Sequence, residues 1–245
     1  MIAGIIASAF WLCFIVFTSL LFCVLGLCRL GYYIAGRDRF DLLAHRFGWV
    51  WARVTLALGP RWKVSLIDQS HLRDLERSPA VIVCNHASMT DIWIISSLGV
   101  QFRFLSKIEV FRTPIIGTAM RWAGYIPIKR GDKQSHQDAL RLSADCLKRG
   151  VSMLYFPEGT RSVDGVMLPF KIGAFKLASE CDVAILPIVI TGTENMLPKG
   201  SAIPHPAHVR VKIMDPMRHH AGEDYQAFAD RVRNAMSTEK QKLLN

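Results

Sequence analysis

The sequence predicts an α/β fold: a mixed, largely parallel sheet flanked by helices, with an N-terminal hydrophobic and amphipathic helical membrane anchor. Three observations carry this reading. Beyond residue 63, short β-branched runs alternate with longer stretches of helical periodicity, the pattern of a sheet covered by helices. The run 80–84 is continuously apolar, as a strand buried on both faces must be. Residues 1–28 contain no charged side chain at all. With 51% hydrophobic and 20% charged residues in 245, the chain has ample apolar surface for a core, which excludes a disordered polypeptide.

The N-terminal run comes first. About 20 residues of helix cross a hydrocarbon core of roughly 30 Å, so 1–28 is long enough to span. A secretory signal would need a basic start and an apolar stretch of only about 7 to 15 residues, and neither is present. Residues 29–63 then hold seven cations (Arg29, Arg37, Arg39, Arg46, Arg53, Arg61, Lys63) against Asp38 and Asp41. Positive flanks stay on the cytoplasmic side, which would leave Met1 outside and the rest of the chain facing the cytoplasm. Arg39, Arg46 and Arg53 recur every seven residues beside Phe40, Leu43, Phe47, Val50 and Val54, one strip of an amphipathic helix. Such a helix lies either on a bilayer, where Trp49, Trp51 and Trp62 suit the interface, or on the protein's own core, and the spacing leaves both open. The division expected is a membrane-associated helical segment over 1–60 and an α/β domain over 61–245. Within the latter, strands are predicted at 63–67, 80–84, 102–105, 125–128, 151–156, 183–190 and 209–213. Helices are predicted at 90–98, 114–122, 134–148, 170–179 and 224–242.

The charge narrows the partners. Lys and Arg number 30 against 20 Asp and Glu, a net +10, and a second basic stretch at 101–130 carries Arg103, Lys107, Arg112, Arg121, Lys129 and Arg130 against Glu109 alone. No zinc-finger spacing, RNP-like aromatic motif or lysine-rich tail supports nucleic acid, so no nucleic-acid partner is expected. Anionic lipid or a phosphorylated substrate accounts for the cations together with the apolar segment. The six cysteines form no CxxC pair, and His205, His208, His219 and His220 lie among prolines without ligand spacing, so no metal is expected.

Three polar clusters follow predicted strands: Asn85-His86 after 80–84, Lys129-Arg130 after 125–128, and Pro157-Glu158-Gly159-Thr160-Arg161 after 151–156. Ligand sites of open α/β sheets lie beyond the carboxyl ends of strands, so the three converge. His86 precedes Asp91 by five positions, about 140° apart on a continuous helix. The pair works if His86 occupies the turn before a helix and Asp91 its first turn. The carboxylate then fixes the imidazole tautomer while the other nitrogen removes a proton. Ser88 and Ser162 lack a G-x-S-x-G elbow, and neither a Walker A nor a G-x-G-x-x-G sequence is present. A His/Asp pair acting on a substrate hydroxyl is the simpler reading.

Asn85-His86-Ala87-Ser88-Met89-Thr90-Asp91 and Phe156-Pro157-Glu158-Gly159-Thr160-Arg161-Ser162 together resemble the glycerolipid acyltransferases, specifically the 1-acyl-glycerol-3-phosphate acyltransferases. Gly124-Tyr125-Ile126-Pro127-Ile128-Lys129-Arg130 and Ile185-Leu186-Pro187-Ile188-Val189 match the same family in order and spacing, over roughly residues 60 to 215. The resemblance implies transfer of an acyl group from acyl-CoA or acyl carrier protein, as co-substrate and with no cofactor, to the 2-hydroxyl of lysophosphatidic acid at a phospholipid bilayer. It implies His86 as general base and Asp91 as its orienting partner. Glu158, Gly159, Thr160 and Arg161, with Arg130 and Lys129, would bind the glycerol phosphate. Guanidinium groups suit phosphate because they present a planar fork of donors. Glu158 is expected to hold Arg161 or to accept a glycerol hydroxyl. Backbone amides at the start of the helix after His86, or around 126–128, are candidates to meet the developing oxyanion. The alternatives are a relative using another lysolipid acceptor, or a non-catalytic lipid-binding protein on the same scaffold.

Overall fold

A computed structural model describes residues 2–37, 40–162, 166–198 and 200–244. Met1, Asp38 and Arg39 lie outside the described residues, so the arginine strip is seen only at Arg46 and Arg53. The chain opens with α1 (Ile2–Ile34) and α2 (Phe40–Leu58). The α/β part follows as β1 (Lys63–Ile67), two short 3-10 turns, β2 (Val81–Cys84), α3 (Asp91–Ser97), β3 (Phe102–Lys107), α4 (Ile108–Phe111), α5 (Pro114–Trp122) and β4 (Ile126–Ile128). It continues through α6 (Lys133–Lys148), β5 (Ser152–Tyr155), α7 (Gly173–Glu180), β6 (Ile185–Thr191), α8 (Thr193–Met196), β7 (His208–Ile213) and α9 (Tyr225–Leu244). Each predicted strand and helix is present with ends shifted by a few residues. The four-residue helices α4 and α8 were not predicted, because one turn is too short to show a period.

The strands form one seven-stranded sheet in the order β1-β7-β6-β2-β5-β3-β4. Every pairing is parallel except β6 with β7. Strand β2 lies at its centre, and its alternating side chains explain the unbroken apolar run. Val81 and Val83 enter a core with Ala139 of α6, Phe175 of α7 and Phe228 of α9. Ile82 and Cys84 enter the opposite core with Ile94 and Ile95 of α3. Side chains of successive residues point to opposite faces, so a strand covered on both must be apolar throughout.

Helix α1 is unlike the rest. Its stretch Gly4–Ile34 has a mean hydropathy of 2.5, and among the described residues it is the helix long and apolar enough to cross a membrane. Leu12, Ile15, Leu20, Leu27 and Leu30 are all exposed. Helix α2 resolves the choice left open by its spacing on one face: Phe40, Ala44, His45, Ala52 and Thr55 are buried against the protein, while Arg46, Val50 and Arg53 face outward. The half-buried Trp49, Trp51 and Trp62 each bond within the protein. Trp49 Nε1 donates to Ser97 O (3.2 Å), Trp51 Nε1 to Thr18 Oγ1 (3.0 Å) and Trp62 Nε1 to His205 O (2.7 Å). Rings of Phe14, Trp51 and Trp93 meet at centroid separations of 5.8 to 6.1 Å, joining α1, α2 and α3.

Candidate active site

Strand β2 delivers the first half of the site. Asn85, fully buried, donates from Nδ2 to Ile190 O (2.9 Å) and accepts Ile190 N at Oδ1 (2.8 Å), fixing the strand's exit to β6. The chain then turns through His86 and enters α3 at Asp91, the arrangement the five-residue spacing requires. Asp91 Oδ2 accepts from His86 Nδ1 (2.8 Å), Ala87 N (2.8 Å) and Ser88 N (2.9 Å). One buried oxygen thus closes the turn and orients the ring. Because the carboxylate can only accept, Nδ1 carries the proton and Nε2 keeps its lone pair. Among the described residues Nε2 has no partner, and the side chain is 22% exposed. Phe156 stacks on the ring at 4.2 Å and 26°. Since the Ala87 and Ser88 amides already serve Asp91, they are not free for an oxyanion.

The second half is the loop after β5. Glu158 is buried, yet its carboxylate does not reach Arg161. Oε1 accepts His86 N (2.7 Å) and Oε2 accepts Leu168 N (2.9 Å). Burial pushes the Glu158 carboxyl up from its usual range, opposed by these two amides. Ser162 N returns a bond to His86 O (2.8 Å). The loops therefore interlock through backbone bonds on both sides of the histidine. Arg233 of α9 braces the same segment, donating from Nε to Leu168 O (2.9 Å) and from the guanidinium to Met167 O (2.6 Å).

At the loop's tip, Gly159 has φ of 69°, in the left-handed region that favours glycine. A Cβ there would stand 2.6 Å from Lys171 Nζ, a lysine that the motifs did not single out. Thr160 is exposed and Arg161 half-buried. Among the described residues neither has a hydrogen-bond or ion-pair partner.

The remaining cations divide. Lys129 and Arg130 leave β4, the edge strand two places from β5, and both are exposed. At about 4.8 Å per strand they share the sheet end with His86, which leaves β2 three places away, and so stand roughly 14 Å to one side of it. Lys129 Nζ lies 3.6 Å from Asp132 Oδ2, while Arg130 has no partner among the described residues. Lys107, counted only within a basic stretch, ends β3 and so falls between Arg130 and the Glu158 loop. Arg103 and Arg121 are not available to a ligand. Arg103, 2% exposed, pairs with Asp41 of α2 at 2.6 Å. Arg121 donates to Phe111 O and to Thr118 Oγ1. Of the late histidines, His208 bonds Ser65 Oγ (2.7 Å) and His219 bonds Ser179 Oγ (2.9 Å).

Residues 63–191, more than half of the chain, match the family model described as Acyltransferase. The chain belongs to the acyltransferase family. It is 41% identical over 174 residues to a chloroplastic 1-acyl-sn-glycerol-3-phosphate acyltransferase of Arabidopsis thaliana, covering 71% of this chain and 48% of that protein. It is 33% identical over 167 residues to the human 1-acyl-sn-glycerol-3-phosphate acyltransferase alpha, covering 65% and 58%. The chain thus spans about half the length of the curated relatives it matches. The crystal structure of the 1-acyl-sn-glycerophosphate acyltransferase PlsC from Thermotoga maritima shares its fold, with a TM-score of 0.72 at 23% identity over 94% of this chain and 97% of that one. In this acyltransferase the matched span runs from β1 to β6 and contains both loops of the site, whereas α1, α2 and α9 lie outside it.

Proposed function

We propose that the chain transfers a fatty acyl group from acyl-CoA or acyl carrier protein to the 2-hydroxyl of 1-acyl-glycerol 3-phosphate, giving phosphatidic acid. The observation that carries this reading is His86: its Nδ1 is bound to buried Asp91 at 2.8 Å, and among the described residues its Nε2 has no partner and neither does Arg161 on the neighbouring loop. Nε2 takes the proton of the lipid 2-hydroxyl as that oxygen attacks the thioester carbonyl. Asp91 stabilises the imidazolium that forms. The tetrahedral intermediate then collapses, the C–S bond breaks, and the imidazolium returns its proton to the departing thiolate. No acyl-enzyme is required, and a free thiol and an ester are formed in equal number.

Arg161 and Arg130 supply charge for the phosphate, with Lys129 beside them and Thr160 exposed next to Arg161. Glu158 holds the His86 loop through its amide contact and keeps spare lone pairs for a glycerol hydroxyl. Membrane attachment belongs to the same reading. Helix α1 inserts its exposed apolar face into the phospholipid bilayer, and the cations after it keep the domain over 61–245 on the cytoplasmic side. The His86–Asp91 pair, bonded at 2.8 Å, favours an enzyme over a lipid-binding relative.

The test is to offer purified protein a panel of lysolipids with acyl-CoA and acyl carrier protein thioesters, following thiol release and product position by mass spectrometry. Phosphatidic acid acylated at the 2-position is the expected product. Preference for a lyso-aminolipid or another lysophospholipid would replace the acceptor, and no turnover with any acceptor would return the non-catalytic reading. A carbonate wash of membranes checks the anchor: release of the protein would refute insertion of α1.

A further inference from the structure

We propose that Lys171 is a further headgroup-binding residue, whose ammonium grips the phosphate of the acceptor lipid alongside Arg161. The inference rests on the lysophosphatidate reading above. The Lys171 backbone is held at the tip of the site, where its N donates to Pro157 O at 2.9 Å. Its side chain then folds back over the loop. A Cβ on residue 159 would meet Lys171 Nζ at 2.6 Å, Cε at 2.9 Å and Cδ at 3.3 Å, so the end of the lysine occupies the face that glycine leaves bare. A lysine stem normally keeps rotamer freedom with its head in water. Here the stem lies along backbone, one residue from the glutamate that bonds His86 N.

Among the described residues no carboxylate neutralises that head. Lys171 is exposed and, like Lys63, Lys107, Lys133 and Lys148, has no carboxylate within 4.0 Å among the described residues; what sets it apart is its place over Gly159. The adjacent carboxylate, Glu158, gives one oxygen to the His86 amide and the other to the Leu168 amide. The segment after β5 therefore presents an ammonium and a guanidinium, both without a protein partner among the described residues, on the loop whose Glu158 bonds His86 N. A phosphate monoester fits both: the guanidinium takes two oxygens in a planar fork and the ammonium acts as a point charge on a third. Gly159 makes room for the lysine.

The test compares wild type, Lys171→Met and Lys171→Arg in detergent micelles, using 1-oleoyl-glycerol 3-phosphate and oleoyl-CoA, with melting curves as a fold control. Lys171→Met is expected to raise KM for the lysolipid about tenfold while leaving KM for the acyl donor and Tm unchanged, and Lys171→Arg to recover most of it. Inorganic phosphate should compete with the lysolipid in the wild type and do so more weakly in Lys171→Met. An unchanged lysolipid KM in Lys171→Met overturns the assignment, as does a rise confined to the acyl donor. A wild type inert toward lysophosphatidate overturns the proposed function and this inference together. A wild type that uses it, with Lys171→Met at the same KM, overturns the inference alone.

Discussion

Two histidines in this chain show how surroundings choose a role. His45 of α2 is 4% exposed and both ring nitrogens are engaged, Nε2 with Val100 O at 2.9 Å and Nδ1 with Tyr125 Oη at 3.1 Å. A carbonyl can only accept, so Nε2 carries the proton and Nδ1 accepts from the tyrosine. Burial pushes the Tyr125 hydroxyl up to about 12, which keeps it a donor. His86 is the opposite tautomer, with Nδ1 protonated against a carboxylate and Nε2 open. The first ring is bonded at both nitrogens by neutral groups and fastens α2 to the sheet. The second is bonded at one nitrogen by an anion and has a nitrogen left for chemistry.

Removing each histidine breaks the comparison in a different observable, and the largest effect belongs to His86. His86→Ala is expected to lower kcat by about 10²- to 10⁴-fold, the range for loss of a positioned general base. Tm should barely move, because the Glu158 and Ser162 bonds to residue 86 use its backbone. Full activity in that variant would remove the mechanism. His45 should show the reverse. Burial lowers its pKa from 6.5 to about 4, so between those values the unfolded chain binds a proton that the folded one refuses. Its contribution is complete above pH 6.5 and is lost as the pH falls toward 4, up to about 3 kcal/mol. Denaturant titrations at several pH values should show that slope in the wild type and lose it in His45→Gln, with kcat at neutral pH retained.

The His86 site was legible in the sequence because its parts are local: histidine, aspartate and the turn between them lie within six residues, and strand periodicity places them at a sheet end. The cluster at 157–161 was legible for the same reason. What Glu158 holds was not, since its partners are amides at positions 86 and 168, and only the β2–β5 neighbourhood in the sheet brings them together. Arg103 was misjudged within a run of cations because nothing in its own segment announces Asp41, 62 positions earlier. Lys171 escaped notice because an isolated lysine has no pattern, and its meaning comes from the bare face of a glycine that folding sets beneath it. The helices α1 and α2 were readable as apolar and amphipathic. Which residues of α2 turn inward depends on distant partners, such as Val100 and Tyr125 for His45 and Trp122 for Phe40.

Glu158→Gln gives a smaller effect and sharpens the contrast between loops held by the protein and groups awaiting a ligand. A glutamine oxygen can still accept one amide, but its NH2 must then face the other, leaving a buried donor unsatisfied at about 1–3 kcal/mol. Melting temperature should fall, kcat should fall with it as the His86 turn loosens, and lysophosphatidate use should weaken. Unchanged stability and kinetics would show that the two amide bonds contribute nothing.

Arg161→Ala is expected to have the smallest effect of the four, and it is the cleanest test of the division. Among the described residues its guanidinium has no protein partner, so truncation leaves no buried charge alone and Tm should stay within error. The loss should be confined to the acceptor. A charge-assisted bond to phosphate accounts for about a tenfold rise in KM for lysophosphatidate, with little change in kcat at saturation or in KM for the acyl donor. Raising ionic strength should erode the wild-type advantage only in part, since a half-buried cation and its phosphate are screened less than a fully exposed pair. A fall in kcat at unchanged KM would instead mean that Arg161 acts mainly on the transition state, placing it with the base rather than with the anchors.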